Sequence, residues 1–132
     1  MISTCEVHVC MKINIEKSFD EISEYWSPKV IGRVNDQYVK IAKVKGEFVW
    51  HNHTDEDELF LVVLGRLRMQ LEGDEVELNA GEMYVVPKGV MHNPVADEEC
   101  WVMLIETLTT KHTGDVETPM TKSIAEQLAT YD

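Results

Sequence analysis

Short runs of β-branched and aromatic residues recur along the chain from Val30 to Glu106, and most of them end at a glycine or a proline. Their spacing of about 8–12 residues is typical of an all-β sandwich or barrel and predicts about seven to nine strands. The whole chain has 132 residues. Because one domain takes about 100–200 residues, the sequence indicates a single all-β domain.

The alternation inside these runs predicts which face of each strand is packed. In residues 66–72, Arg66 and Arg68 alternate with Leu67 and Met69, so this strand has one wet and one buried face. Residues 59–64, by contrast, are apolar on both faces. A strand of this kind needs a second cover, and we therefore expect a homodimer.

The segments on either side of the strands differ in pattern. Residues 18–26 begin with serine and carry apolar residues at helical spacing, which predicts a short helix that ends before Pro28. We therefore divide the chain into an N-terminal extension with a short helical segment (1–28), a barrel (29–106) and a C-terminal tail (107–132). A short helix is predicted at Ser123–Tyr131, and residues 1–10 fit either an extra strand or a loose extension.

The charge distribution restricts the partners. The chain has 12 Lys and Arg against 24 Asp and Glu, a net charge of −12. Residues 46–106 account for most of this excess, with three basic residues against fourteen acidic ones. Such a surface repels phosphate backbones and anionic lipid headgroups, so we expect neither nucleic acid nor a membrane as a partner. The partner that we expect is therefore a small-molecule ligand or substrate.

The apolar runs, the N-terminal sequence and the cysteines together predict the cellular compartment. The longest uncharged apolar run, residues 59–64, is far shorter than the roughly 20 residues of a membrane-spanning helix. Charged residues interrupt the N-terminus where a signal peptide would be apolar. Three cysteines without a CxxC motif are typical of reduced thiols. We therefore expect a cytoplasmic protein.

Three histidines and one glutamate have a joint explanation. His51 and His53 are two residues apart, so in a strand their imidazoles would lie on the same face. Glu58 opens the next apolar run and His92 follows the Pro87–Gly89 turn. Three imidazoles and a carboxylate that converge inside a barrel would suit a divalent transition metal ion, whereas Mg²⁺ or Ca²⁺ prefers oxygen ligands.

The same residues resemble the two motifs of the cupin superfamily. Residues 51–65 are an H-x-H-x4-E-x6-G pattern, and residues 81–92 are a G-x5-P-x-G-x2-H pattern. The resemblance implies a small β-barrel or jelly roll. It also implies that four residues are metal ligands, namely His51, His53, Glu58 and His92. Two positions depart from the family pattern: Gly46 stands one residue closer to the first histidine, and Ala96 replaces the usual closing asparagine.

Other residues receive simpler interpretations. Gly65, Gly81 and Gly89 are expected in turns that need positive φ. Residues 55–57 are expected to form a solvated acidic turn. His8 and His112 are interpreted as surface or linker residues, Cys100 as core, and Tyr84 and Asn93 as candidates for hydrogen bonds to the ligands.

Two classes of function are compatible with such a site. The first is a small metalloenzyme, either a dioxygenase or an isomerase or lyase that acts on a carbonyl or carboxylate compound, with Fe, Mn, Zn, Ni or Cu as the metal ion. The second is a non-catalytic cupin that binds or senses a small molecule. Sugar-phosphate isomerisation is disfavoured, because Arg66 and Arg68 are predicted to face solvent. We favour the metalloenzyme, on the resemblance to cupin enzymes.

Overall fold

The computed structural model describes residues 12–129 and residue 131 of the chain. Within these residues the regular structure consists of seven strands and two short helices. Helix α1 spans Ile15–Asp20 and helix α2 spans Ile124–Gln127. The strands β1 to β7 lie between them and span, in chain order, Lys29–Val34, Gln37–Glu47, Glu58–Leu64, Arg66–Leu71, Asp74–Asn79, Met83–Val86 and His92–Thr107. Neither helix is long and apolar enough to cross a membrane.

All strand pairs are antiparallel, and β7 is the strand on which the sheet is assembled. One edge of β7 pairs with β2, from Gln37↔Thr107 to Glu47↔Val95. The other edge pairs first with β4 and then, further along, with β3. Because one 16-residue strand serves three neighbours, the sheet curls around a single interior. The prediction of an all-β fold is confirmed.

The core fills the inside of this curled sheet. Alternate residues of β7 point inward, and Cys100, Val102 and Leu104 are all buried. They pack against the inward residues of the other strands, which include Ala42, Val44, Phe60, Val62, Leu67, Met69, Leu78 and Val86. The interpretation of Cys100 as core packing is confirmed, with none of its surface exposed.

A second, smaller cluster lies on the outer face, where α1 covers the sheet. Phe19 of α1 is fully buried and stacks on Trp101 with ring centroids 4.8 Å apart. Ile22 and Ile41 complete the buried part of this cluster. The short N-terminal helix thus covers part of the outer face of the sheet, where Ile41 of β2 would otherwise be exposed to solvent.

The helix predicted at residues 18–26 is wrong in its bounds. Asn14 caps the observed helix by accepting a hydrogen bond from Lys17 N, so the helix begins before Ser18 and ends at Asp20. Trp26 cannot continue it, because its φ is 57° and its backbone N–H donates to Lys43 O of β2. Contact with β2 therefore overrides the helical pattern. The second helix is also shorter than predicted and covers only Ile124–Gln127.

Two strand boundaries differ from those that the sequence suggests. Residues 92–96 and 100–106 are two separate β-type runs in the sequence, but they form the single strand β7. Residues 47–53 form another β-type run in the sequence, but the chain leaves the sheet after Glu47 and rejoins it at His51. The reason is pairing, because β2 is paired with β7 on both sides of residues 97–99, at Ala96 and at Cys100, and so joins the two runs into one strand.

The motif glycines occupy turns, as predicted. Gly65, Gly81 and Gly89 have φ values of 87°, 86° and 80°. Gly65 is the most constrained of them, because a Cβ atom at this position would lie 2.7 Å from the Glu99 carbonyl oxygen. The β3–β4 turn can therefore lie this close to β7 only with glycine.

Candidate metal centre

Main-chain hydrogen bonds hold the predicted ligand residues together at one end of the barrel. His51, in the loop after β2, donates from its N–H to His92 O over 3.0 Å, and His92 N donates to His51 O over 2.9 Å. The carbonyl of His53 accepts from Gly89 N at 2.8 Å. Glu58 is the first residue of β3. The loop that carries two histidines is thus tied to the start of β7, which carries the third.

The four side chains form one buried cluster. One nitrogen or oxygen atom of each of His51, His53, Glu58 and His92 lies within 4.8 Å of the others. Their exposed fractions are between 0% and 4%. The acidic neighbours of Glu58 lie elsewhere: Asp57 accepts a hydrogen bond from Lys88 N, and Glu56 accepts one from Thr109. Glu58 is therefore the carboxylate that joins the three imidazoles.

The protonation of two imidazoles is set by the backbone. His51 Nδ1 lies 2.9 Å from Val49 O, and His92 Nδ1 lies 2.9 Å from Val90 O. Because a carbonyl oxygen only accepts, each Nδ1 carries the proton and each Nε2 keeps a free lone pair. This is the arrangement in which histidine binds a metal ion.

The remaining polar atoms fit a cation between the four side chains. His92 Nε2 is buried and has no hydrogen-bond partner among the described residues. It lies 3.3 Å from Glu58 Oε1, and His53 Nε2 lies 3.2 Å from the same oxygen. A buried lone pair without a donor is costly, and a metal ion would satisfy it. Three nitrogens and one carboxylate suit a divalent transition metal ion better than Mg²⁺ or Ca²⁺.

The environment keeps two of the ligands, His51 and Glu58, in the ionisation state that metal binding requires. Burial, followed by repulsion from His92, lowers the pKa of His51 to about 4. Burial acts to raise the pKa of Glu58, but the hydrogen bonds with Glu106 and His53 outweigh it and hold this pKa well below its usual range. His51 is consequently neutral and Glu58 is charged at neutral pH.

Two buried charged residues that the sequence analysis missed lie directly behind Glu58. Glu106 of β7 stands opposite Glu58 in the sheet register, and Lys40 Nζ of β2 lies 2.7 Å from Glu106 Oε1. The Lys40 and Glu106 side chains are only 1% and 4% exposed. Burial and the charge of Glu58 raise the pKa of Glu106 well above its usual range. The surroundings thus favour a proton on Glu106 and a charge on Glu58, and Lys40 is the cation beside this pair of carboxyl groups.

The alternation of inward and outward residues along β7 and β2 indicates that Glu106 and Lys40 both point inward. Glu106 continues the inward series Cys100, Val102 and Leu104, and Lys40 has the same parity as the buried Ala42 and Val44. Neither residue stands out by type, since most lysines and glutamates in strands face solvent. Their pairing depends on strands that are distant in sequence.

A small cavity opens on the inner side of the cluster. Its volume is about 40 Å³, and His51, Glu58, Phe48, Phe60 and His112 are among its lining residues. His112 lies in the segment that links β7 to α2, as one of its two interpretations expected, but it is half-buried rather than on the surface, and its ring centroid lies 4.9 Å from that of Phe48. Burial, as the largest cause, lowers its pKa to about 4. His8 lies outside the described residues.

The two residues expected to hydrogen-bond the ligands do not do so in the described part of the chain. Asn93 is fully buried, but its side chain donates to Glu47 Oε2 and Gln70 Oε1. Tyr84 packs against the core cluster. The ligand side chains instead form hydrogen bonds with backbone carbonyls and with Glu106.

The arginines near the barrel are engaged with acidic side chains. Arg68 binds Asp97 at 2.9 Å and Glu75 at 2.9 Å, and Arg66 binds Asp97 at 3.3 Å. Both arginines lie on the face of β4 that is opposite to its buried residues, as predicted. Neither Arg66 nor Arg68 is directed toward the cavity.

One domain family and several solved structures are similar to this chain. The cupin domain family (Cupin_2) matches residues 37–106. A cupin-2 domain containing protein from Shewanella frigidimarina has a similar structure, with 49% identity, a TM-score of 0.71, and coverage of 72% of this chain and 93% of the other. Protein NMB1881 from Neisseria meningitidis is 33% identical with a TM-score of 0.69, over 74% of this chain and 99% of that one.

A curated relative from Bacillus subtilis adds no function. The uncharacterized protein YdbB is 38% identical over 74 residues, which is 55% of this chain. The matched segment spans 66% of YdbB, slightly less than two thirds of its length.

The buried lysine can be tested through stability. We expect Lys40→Met to lower the free energy of unfolding of the metal-free protein by about 3–5 kcal/mol, because it leaves a buried negative charge without a partner. Urea denaturation measures this change. A bound divalent cation would compensate Glu58, so the loss should be smaller in metal-loaded protein.

Lys45→Met is the matched control for this measurement. Lys45 lies on the same strand but is exposed, and its replacement should change the free energy by less than about 0.5 kcal/mol. Equal, small effects of the two substitutions would contradict the charge balance described above.

Proposed function

The chain belongs to the cupin family, and from that premise we propose that it holds one divalent transition metal ion and works as a small metalloenzyme. The proposed ligands are His51, His53, Glu58 and His92. The observation that carries the proposal is the buried His92 Nε2, which has a free lone pair and no hydrogen-bond partner in the described chain, inside a cluster of complementary donors. The proposed chemistry is that of a dioxygenase, or of an isomerase or lyase, acting on a carbonyl or carboxylate compound.

The donor set supports this chemistry. Three neutral imidazoles and one carboxylate leave a divalent ion with one net positive charge, and a six-coordinate ion keeps two positions for other ligands. Such an ion supplies Lewis-acid polarisation of a carbonyl or carboxylate oxygen, and with iron, copper or manganese also oxygen chemistry. The protein contributes rigid placement, since the backbone carbonyls of Val49 and Val90 orient two of the imidazoles.

The cavity supports a small substrate with an apolar body. Its walls include Trp26, Phe48, Phe60 and Leu104, and its volume of about 40 Å³ leaves room for a few non-hydrogen atoms next to Glu58. A phosphate group would need cations in this space, but Arg66 and Arg68 bind acidic residues on the outer face. We therefore favour a compound such as a keto acid or a diketone over a sugar phosphate.

The ligand assignment predicts the metal content of variants. Replacing His51, His53 or His92 by Ala should weaken metal binding by at least about 10–100-fold, which is the usual loss when only a supporting contact of a ligand is removed. Glu58→Gln keeps the shape but removes the negative charge, and should also weaken binding. Mass spectrometry of metal in the purified, folded proteins measures the result.

Asp57→Asn is the matched control for Glu58→Gln. An asparagine at this position can still accept the hydrogen bond from Lys88 N, so the turn and the metal content should be retained. Normal metal content in Glu58→Gln together with loss in Asp57→Asn would show that the carboxylate ligand is misassigned.

Turnover tests the enzymatic part of the proposal. Protein loaded separately with Fe, Mn, Zn, Ni or Cu should consume O₂, or convert a member of a keto-acid, diketone and aldose panel, with at least one metal ion. His92→Ala should abolish that activity. If wild-type protein with full metal content converts nothing in the panel and consumes no O₂, the non-catalytic binding function is the better explanation.

We also propose that the protein forms a homodimer through the outer face of β3 and β6. Leu59 lies between Val85 and Ile105 in the sheet register, and Leu61 lies between Met83 and Met103. Met83 and Val85 are 58% and 41% exposed, on a strand at the end of the sheet order. A continuous apolar surface across three strands is typical of a protein–protein contact.

A single charge on this face should prevent association. Wild-type protein is expected to sediment at twice the 15.1 kDa mass of the chain, and Met83→Lys at the monomer mass. Val34→Lys is the control, since Val34 is 60% exposed but lies on β1 at the other end of the sheet order. A wild-type monomer at micromolar concentration would refute the dimer.

A further inference from the structure

The C-terminal segment places one polar side chain in the cavity beside the candidate metal ligands. His112 follows β7 and lies outside the cupin motifs, yet it lines the same cavity as His51 and Glu58. Its ring packs against Phe48, and Phe48 in turn makes an edge contact with His51 at a centroid distance of 5.6 Å. One aromatic ring therefore contacts both His112 and the cluster.

We propose that His112 is a specificity-determining hydrogen-bond donor, which binds an oxygen atom of the small molecule that occupies the open positions of the metal ion. This inference rests on the proposed function, because it assumes a metal-bound ligand in the cavity. It assigns to His112 contact with that ligand rather than with the metal ion.

The tautomer of His112 makes it a donor. The backbone N–H of Lys122 donates to His112 Nδ1 over 2.9 Å, so this nitrogen carries the lone pair. In a neutral imidazole the proton is then on Nε2. Among the described residues no other hydrogen bond of His112 is formed, and Nε2–H remains available.

The rest of the cavity wall lacks a competing donor. Apart from His51, Glu58 and His112, the described lining residues are apolar or aromatic. Trp26 has an indole N–H, but it donates to Lys45 O at 2.9 Å. His112 is thus the group in this wall that can recognise an oxygen.

This arrangement indicates the chemical class of the ligand. A molecule with two neighbouring oxygens, such as a carboxylate or an α-keto acid, can bind the metal ion through one oxygen and accept a hydrogen bond from His112 through another. A neutral donor favours such an acceptor without the strong phosphate binding that an arginine would give. The segment 107–112 would therefore select the ligand, while the barrel holds the metal ion.

Oxalate is a suitable probe, since it has vicinal carboxylate oxygens and binds to metal ions with open positions. Metal-loaded wild-type protein and two variants are titrated with oxalate, and metal content is measured in the same samples. His112→Phe keeps an aromatic ring beside Phe48 but removes the donor. His112→Gln replaces the imidazole with an amide N–H donor.

We expect His112→Phe to retain the wild-type metal content and to bind oxalate about 10–100-fold more weakly, the usual effect of a hydrogen bond to a charged group. His112→Gln should recover most of the oxalate affinity. A second donor-free variant, His112→Met, repeats the measurement should phenylalanine disturb folding.

Two results would overturn the inference alone. Equal oxalate affinity in wild-type, His112→Phe and His112→Met proteins would show that the imidazole does not bind the ligand. Loss of metal from the folded donor-free variants would show that His112 holds the metal ion instead. If wild-type protein itself binds no metal ion, the proposed function fails, and this inference fails with it.

Discussion

The candidate site depends above all on the main-chain pairing of His51 with His92. Two hydrogen bonds of 3.0 and 2.9 Å connect a loop to the first residue of the longest strand. They bring the two imidazole centroids to 4.3 Å. Because the backbone already holds the rings together, a metal ion would not have to order a flexible loop. Such preorganisation is what favours tight binding by a small number of ligands.

The pairing also explains how a short loop can replace a strand. Residues 48–57 leave the sheet, and a continued ladder would be the usual way to satisfy their backbone groups. Here the N–H and C=O groups of His51 bond to His92, and the C=O group of His53 bonds to Gly89. The positive φ of Gly89, 80°, allows the turn that brings its N–H to this loop.

Charge inside the barrel is balanced separately from charge on the surface. The chain carries a net charge of −12, and the acidic residues near β4 form ion pairs with Arg66 and Arg68 at the surface. Inside, Lys40 Nζ lies 2.7 Å from Glu106 Oε1 and balances the buried carboxyl pair, while burial and the charge of Glu58 raise the pKa of Glu106. The low dielectric of the interior makes this balance necessary. The surface excess, by contrast, is solvated.

The sequence by itself determined the strand alternation, the class of fold and the residue types of the cluster. Local periodicity places Leu67, Met69, Val102 and Leu104 inside, because side chains of a strand alternate between two faces. The resemblance to the two cupin motifs singles out the four cluster residues. The helix bounds failed because the contact of Trp26 with β2 is not local.

Only the tertiary structure decided which ordinary residues join the site. Lys40 and Glu106 meet through the pairing of β2 and β7, and Glu58 meets Glu106 through the pairing of β3 and β7. His112 reaches the cavity through its packing on Phe48 and the hydrogen bond from Lys122. Apart from the hydrogen bond between Lys122 and His112, which are ten residues apart, each of these contacts joins segments far apart in the chain. Local patterns record which face a residue occupies, but not which distant residue lies opposite, because that is fixed by the packing of the whole barrel.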